Sequence, residues 1–282
     1  MLSSFPGVRF GLMVGIGAGI PGRRADVRLG DIVVSRPEGT TGGVVQYDFV
    51  KAIQDGGLQR MGSLNSPPRV LLNAVAALQA QHDRQPSHIP RFLREMITKN
   101  PTMAQTQQGL PGFVHQGSHN DRLFVATFPH AGGDNCQNCN SAKQENRTTR
   151  DSVDPQIHYG IIASGNTFVK NAETRNSLVQ RTGEDCICFE MEAAGLMNQF
   201  PCLVIRGICD YADSHKNDRW QRYAAATASA YAKELLEYVP VPTVGEGGQV
   251  SDLNRQIEDL NRQVRDLRNQ LAQSRRPVYR ND

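Results

Sequence analysis

The chain carries Cys188-Phe-Glu-Met-Glu-Ala-Ala-Gly195 and, shortly after it, Leu203-Val-Ile-Arg-Gly-Ile-Cys-Asp-Tyr-Ala-Asp213. The apolar run Cys186–Phe189 predicts a short strand, and the residues that follow it predict a helix. Cys202–Ile208 is a second apolar run with a single arginine in it, which is typical of a buried strand. Together these stretches predict a strand–helix–strand unit of an α/β fold.

Two carboxylates, Glu192 and Asp210, lie where these two segments end. In α/β sheets the carboxyl ends of the strands are where ligands bind, so the two acids would meet there. Such carboxylates can hold sugar hydroxyls or exchange a proton with a base. Alternatively, Glu192 is an acid of the first helical turn and Asp210 a cap or turn residue. The spacing alone leaves both interpretations open.

Five sequence blocks stand out along the chain: Val14-Gly-Ile-Gly-Ala-Gly19, Leu29-Gly-Asp-Ile-Val-Val-Ser35, Ile162-Ala-Ser-Gly-Asn-Thr-Phe168, Phe189-Glu-Met-Glu-Ala-Ala194 and Arg206-Gly-Ile-Cys-Asp210. In this order they resemble the purine nucleoside phosphorylase / methylthioadenosine nucleosidase superfamily. The closest resemblance is to its fungal branch, which is often fused to NTPase and repeat modules. It extends from Phe10 to about Val239 and implies a three-layer α/β/α fold with a central mixed sheet.

This resemblance implies cleavage of the N-glycosidic bond of purine nucleosides or nucleotides, and it implies a role for individual residues. Asp210 would donate a proton or a hydrogen bond to N7 of the departing base. Glu192 would accept hydrogen bonds from the 2′- and 3′-hydroxyls, and Met191 would pack under the ribose. Phe168 would stack on the purine, whose edge would pair with the backbone of Val169. For Phe168 and Met191, ordinary core packing is the competing interpretation.

A glycine-rich segment follows the predicted first strand, Phe10–Val14. Gly15, Gly17 and Gly19 predict a loop whose backbone can approach a ligand closely, and the resemblance implies that this loop lies near the ribose or phosphate. Ile16 stands where the superfamily usually has a serine. The missing hydroxyl favours hydrolysis over phosphorolysis. Inorganic phosphate would be a co-substrate only of a phosphorylase, and we expect no other cofactor.

The resemblance begins part-way into the family pattern. The superfamily has further strands before the point at which this chain starts, and in the nucleosidases they include the glutamate that activates water. We therefore expect a domain without those strands, in which no acidic residue precedes Asp26. This leaves two hypotheses: an active nucleosidase, or a catalytically degenerate nucleoside-binding or signalling module.

The composition is ordinary for a globular α/β protein, with 39% hydrophobic and 6% aromatic residues in 282. A formal charge of +3 gives no indication of nucleic-acid binding. Since no run reaches about 18 apolar residues, we expect no membrane span. The expected compartment is the cytoplasm, and the nucleus is an alternative.

Cysteine usage points to reduced thiols, because several of the six cysteines fall in apolar strand-like runs. Cys136 and Cys139 form a single C-x-x-C pair in a polar loop, with His130 upstream. A zinc site normally needs a second pair of ligands, so the sequence assigns no metal. A loop disulfide and two solvent-facing thiols are the alternatives. A redox role is disfavoured because the pair does not begin a helix.

The C-terminal part of the sequence differs from the domain 1–239. Residues 240–250 predict a flexible linker, and residues 251–274 predict a short coiled coil. We expect it to mediate homo-oligomer formation or association with another protein. The alternative is a single amphipathic helix docked on the domain. The heptad core positions are Leu253, Ile257, Leu260, Val264, Leu267 and Leu271.

Overall fold

Apolar runs form strands and amphipathic segments form helices in the computed structural model, which describes residues 7–22, 24–54, 58–200, 202–240 and 262. The strands are β1 (Gly11–Gly19), β2 (Ile32–Ser35), β3 (Val44–Gln46), β4 (Val50–Ala52), β5 (Leu58–Arg60), β6 (Ile157–Ser164), β7 (Cys186–Glu190) and β8 (Cys202–Asp210). The helices are α1 (Arg69–His82), α2 (Ile89–Lys99), α3 (Ala172–Thr182) and α4 (Gln221–Leu236). The predicted strands at Cys186–Phe189 and Cys202–Ile208 are confirmed.

The central sheet of the described residues has the strand order β2-β8-β1-β7-β6-β3. It is mixed, as predicted: β1 runs parallel to β8 and antiparallel to β7, and β2 runs parallel to β6 and antiparallel to β8. Since β2 pairs with β8 on one edge and with β6 on the other, five strands close into a ring. The sequence analysis predicted the mixed sheet but not this closure.

The helices α1, α2 and α4 share one hydrophobic core with the strands β2 and β8. The apolar residues of α1 recur at helical spacing, so they form one face that packs inward. Burial of each large apolar side chain contributes about 1.5–3 kcal/mol. This core contains Ile32, Val34, Leu71, Val75, Leu78, Ile89, Phe92, Leu203, Ile205, Tyr231 and Leu235.

Two predicted elements are absent from the described structure. The helix expected to begin near Glu190 is only a 3-10 turn, Ala193–Gly195. The Glu190 carboxylate accepts hydrogen bonds from the backbone N–H of Ala193 and of the preceding residue, so it caps this single turn from the end of β7. The run Leu123–Phe128 also predicts a strand, but it forms only one bridge, from Phe124 to Gln144, because the chain turns within it and Phe128 N–H donates to the Val125 carbonyl at 2.9 Å.

Asp31 is a buried carboxylate that fastens the polar segment before β6 to the sheet. It accepts hydrogen bonds from Arg150, at 2.7 and 2.8 Å, and from the backbone N–H of Gln156 at 3.0 Å. His158 lies 2.9 Å from it. Burial raises the pKa of Asp31, but the hydrogen bonds from His158 and Arg150 outweigh that effect and lower it below its usual value.

Two compact units divide the chain, Met1–Val239 and Pro240–Asp282. The linker and coiled-coil predictions fall on residues 240–250 and 251–274, which lie outside the described residues except for Pro240 and Arg262. They therefore stay predictions. Across the described part of the chain, no helix combines the length and the apolar character that a membrane crossing requires.

Candidate active site

The strands β7 and β8 end in acidic residues on the wall of one cavity. β7 ends at Glu190 and β8 at Asp210. Glu190 pairs in register with Ser164, the last residue of β6, and Asp210 pairs with Ala18 near the end of β1. The chain therefore brings polar groups together at strand ends, where α/β sheets place their ligands.

The cavity has a volume of about 320 Å³, which suits a small organic ligand. Its lining includes apolar side chains, carboxylates and two lysines. Six of the eight residues that the sequence analysis assigned to the site line it: Gly17, Phe168, Val169, Met191, Glu192 and Asp210. Further lining residues include Ile16, Ala18, Tyr47, Lys170, Phe189, Glu190, Cys209 and Lys216.

Asp210 is buried, with 4% of the residue exposed, and its carboxylate has three polar neighbours. The backbone N–H of Ala212 donates to Oδ1 at 2.9 Å, and the Cys209 thiol donates to Oδ2 at 3.1 Å. The Lys216 ammonium lies 2.8 Å from Oδ2. Lys216 is the neighbour that the sequence analysis missed.

Glu192 faces the cavity with 61% of its side chain exposed and is held by Arg206, whose Nη2 lies 2.7 Å from Oε2. The same guanidinium nitrogen contacts the buried Glu190. Burial raises the pKa of Glu190, while Arg206 and several hydrogen bonds oppose that rise. One buried arginine therefore holds two carboxylates and leaves an edge of Glu192 open to a ligand.

Phe168 and Met191 are not core residues, since 53% and 41% of them remain exposed. Two ammonium groups lie over the Phe168 ring: Lys216 at 4.4 Å from its centroid and Lys170 at 5.2 Å. Val169, by contrast, is buried. A flat ligand that stacks on the Phe168 ring must share it with these two ammonium groups or displace them.

The glycines of the first block lie in β1 and not in a loop, which corrects the prediction. A Cβ on Gly15 would lie 2.2 Å from Nη1 of Arg206, and one on Gly17 would lie 2.8 Å from the Cys188 sulfur. Gly19 packs in the same way against Ile208. These glycines are needed because neighbouring side chains pass close to the strand. Of the three, Gly17 lines the cavity.

Sequence reasoning missed the structural roles of Arg206, Glu190 and Lys216. Arg206 had a visible signal, because a charged residue inside a buried strand requires a buried partner. Glu190 could have been suggested as that partner by its own place at the end of an apolar run. Lys216 had no comparable signal, since its contact with Asp210 depends on how residues 211–216 turn.

Comparison with known proteins places this geometry in a family. Residues 109–239 match the family model described as the phosphorylase superfamily. This part of the chain belongs to the phosphorylase superfamily. The resemblance inferred from the sequence is thereby confirmed, and the matched residues include the ends of β6, β7 and β8.

Two relatives of this chain differ in how much they share with it. A nucleotide-binding leucine-rich repeat (NLR)-like protein of the fungus Hyaloscypha variabilis is 45% identical over 239 residues, 84% of this chain and 22% of that protein. A 5′-methylthioadenosine/S-adenosylhomocysteine nucleosidase of Mycobacterium bovis is 31% identical over 94 residues, 32% of this chain and 36% of that protein. The chain thus spans well under half the length of either relative.

Among solved structures, futalosine hydrolase of Helicobacter pylori matches with a TM-score of 0.47 and 17% identity, covering 84% of this chain and 71% of that one. The 5′-methylthioadenosine/S-adenosylhomocysteine nucleosidase of the same organism, in complex with a substituted pyrrolidin-3-ol, matches with a TM-score of 0.46 and 17% identity. This match also covers 84% of this chain and 71% of that one.

Proposed function

We propose that this domain cleaves the N-glycosidic bond of purine nucleosides or nucleotides, and that it does so by hydrolysis. The observation that carries the proposal is that one cavity holds Asp210, Glu192 and the exposed ring of Phe168. An acid, a hydroxyl acceptor and a stacking surface are the three groups that departure of a purine from ribose needs. The nucleosidase relative supports the same reaction class.

On the base side, Phe168 stacks on the purine and Asp210 hydrogen-bonds to N7. As the bond to C1′ breaks, the purine gains negative charge, and a proton from Asp210 to N7 neutralises it. The Lys216 ammonium, 2.8 Å from Asp210, then stabilises the carboxylate that remains. The hydrogen bond from Ala212 N–H fixes the orientation of the carboxyl group.

On the ribose side, the developing positive charge lies near two carboxylates. Glu192 accepts hydrogen bonds from the 2′- and 3′-hydroxyls, and Met191 packs under the sugar. Glu190 is a positioning residue, because its oxygens already accept hydrogen bonds from Arg206 and from backbone N–H groups. It holds the guanidinium that in turn holds Glu192.

Hydrolysis is preferred to phosphorolysis because of Ile16, which lines the cavity. An isoleucine side chain donates no hydrogen bond to a phosphate oxygen. Water needs no such donor: it adds to C1′ as the bond to the purine breaks, and the proton that it releases returns through solvent to the Asp210 carboxylate.

The reaction is tested by chromatography of free base after incubation with adenosine, inosine, methylthioadenosine and ATP, with and without inorganic phosphate. We expect base release from at least one substrate at a rate that does not depend on phosphate. Release only in the presence of phosphate, with a sugar phosphate as co-product, would establish a phosphorylase instead. No release from folded protein that still binds a nucleoside would favour the degenerate binding module.

The role of Glu192 is tested with Glu192→Gln on a ribonucleoside and on its 2′-deoxy analogue. Loss of a hydrogen bond to a charged acceptor costs about 1.5–3 kcal/mol, which is about 10- to 100-fold in kcat/KM. We expect that loss with the ribonucleoside and a much smaller one with the 2′-deoxy analogue. Equal losses with both substrates would show that Glu192 does not contact the 2′-hydroxyl.

A further inference from the structure

A loop outside the active site brings three metal-binding side chains together. The imidazole of His130 and the thiols of Cys136 and Cys139 place one ligand atom each within 4.8 Å of the other two. In a tetrahedral zinc site with bonds of about 2.0–2.3 Å, ligand atoms lie roughly 3.5 Å apart. The three side chains therefore need only small rotations to share one ion.

The local chain builds this cluster. Cys139 N–H donates to the carbonyl of Cys136 at 3.2 Å, a turn that points both thiols to one side. Cys139 is buried and Cys136 is half-buried. Arg122 donates to the Cys136 carbonyl at 2.8 Å and anchors the turn. The thiols are therefore not on a free solvent-facing loop, which was one of the alternatives from the sequence.

His130 is oriented by its own loop. Its Nδ1 accepts from Gly132 N–H at 3.1 Å, and its Nε2 lies 3.0 Å from the Asn135 carbonyl. Metal-binding histidines commonly use one ring nitrogen for the ion and donate the N–H of the other to a backbone group. Here Nε2–H can keep the Asn135 carbonyl, while the lone pair of Nδ1, which now accepts from Gly132 N–H, turns to the ion. The sequence analysis noted His130 upstream of the C-x-x-C pair but assigned no metal, because the sequence offers no second pair of ligands.

The same loop contacts the segment that follows Asp210. His130 N–H donates to Ser214 Oγ at 3.0 Å, and the His130 ring lies 5.4 Å from the ring of His215. His215 is 94% buried, and its Nε2 has no hydrogen-bond partner among the described residues. An unpartnered buried nitrogen beside the cluster is a second indication of a missing polar group.

We propose that His130, Cys136 and Cys139 bind one Zn²⁺ ion, which clamps this loop onto the segment that carries Lys216. Thiolate and imidazole are the donors that favour zinc over magnesium or calcium, which take oxygen ligands. A water molecule completes the tetrahedron. The ion sets the position of residues 213–216 and takes no part in glycosidic bond cleavage, so the proposal is independent of the proposed function.

The test is the metal content of the purified full chain, measured by elemental mass spectrometry after exhaustive desalting. We expect about one zinc per chain, as for a single site. His130→Ala, Cys136→Ser and Cys139→Ser should each lose most of it. His119→Ala and Cys186→Ser, which make the same changes elsewhere, should retain it. Zinc content that is unaffected by the three cluster variants would overturn the assignment.

A second measurement uses the unsubstituted protein and so does not depend on the variants folding. Cobalt added to metal-free protein should produce the thiolate-to-cobalt charge-transfer band and the visible bands of a tetrahedral site, and zinc should displace both. Zinc should also raise the Tm of the metal-free protein, because it binds the folded state. Folded protein that gives no cobalt spectrum, or whose Cys136 and Cys139 form a disulfide that persists with zinc present, contradicts the proposal.

Discussion

At the scale of single residues, the candidate site depends on Arg206. This cation is 5% exposed in its side chain and contacts Glu190 and Glu192, so its burial is compensated by two carboxylates. Space for the guanidinium exists because Gly15, on the neighbouring strand, has no side chain. The position of Glu192, and with it the proposed ribose contact, therefore depends on a glycine that does not line the cavity.

We predict that Gly15→Ala impairs catalysis. The new Cβ would lie 2.2 Å from Nη1, the far end of a flexible side chain, so the guanidinium moves and the backbone does not. Glu192 then loses its charged partner. We expect kcat/KM to fall about 10- to 100-fold, the equivalent of one charged hydrogen bond.

The control for this prediction is Gly22→Ala, where an added Cβ meets no atom within 4 Å. Steady-state kinetics and urea unfolding of both variants provide the comparison. If Gly15→Ala unfolds at much lower urea while the folded fraction keeps its full kcat/KM, then the glycine serves the strand pairing and not Arg206.

At the scale of elements, apolar runs were sufficient to locate β7 and β8, because buried strands are recognisable from a few consecutive residues. β1 was predicted to end at Val14 but continues to Gly19. Its glycines look like a loop in sequence, and only the neighbouring side chains of Arg206 and Cys188 show why a strand needs them there. Information of that kind comes from strand pairing between distant residues, which local patterns do not contain.

The contact between β8 and α4 gives a prediction at this scale. Gly207 faces the backbone of α4 so closely that an added Cβ would lie 1.8 Å from the Ala224 carbonyl oxygen. Since this neighbour is backbone, the helix itself must shift. We expect Gly207→Ala to lower the free energy of unfolding by at least the 1–3 kcal/mol typical of overpacking. Urea unfolding measures the change.

A matched variant for this prediction is Gly195→Ala, in which the added Cβ meets no atom within 4 Å. It should unfold at nearly the urea concentration of the parent chain. A Gly207→Ala variant that is as stable as Gly195→Ala would mean that α4 does not lie against β8 in solution.

At the scale of the whole domain, the closed sheet depends on β2, a strand of four residues that pairs on both edges. Asp31, the residue before β2, contacts Arg150 and His158 and so holds both at the start of this strand. The mixed sheet was predictable from the sequence, as was the family resemblance that the five blocks carry. The closure of the sheet was not predictable, because it depends on the pairing of β2 with β6, which lies more than a hundred residues later in the chain.

Asp31 gives a prediction about pH. Its pKa is lowered in the folded state, so the folded protein holds fewer protons on this group than the unfolded chain does. The stability that Asp31 contributes is therefore present above its ordinary pKa of about 3.9 and is lost as pH falls through the lower, folded value. Removing one partner of a buried ion pair destabilises a protein by about 3–5 kcal/mol, so we expect Asp31→Asn to lower the free energy of unfolding by that amount at neutral pH.

Urea unfolding between about pH 7 and pH 3 tests this prediction, with the range set by the ordinary carboxyl pKa values. The difference in stability between the parent chain and Asp31→Asn should shrink on acidification. Asp83→Asn, an exposed acid at the end of α1, should follow the parent at every pH. A difference that stays constant with pH would show that Asp31 contributes through packing alone.

The central claim is that Asp210 protonates or hydrogen-bonds a departing purine. The most direct measurement is the rate of free-base release by the parent chain and by Asp210→Asn, with Asp83→Asn as the control. General acid catalysis contributes about 100- to 10,000-fold, and we predict a loss of that size in kcat for Asp210→Asn alone. Base release at the parent rate from Asp210→Asn would contradict this account.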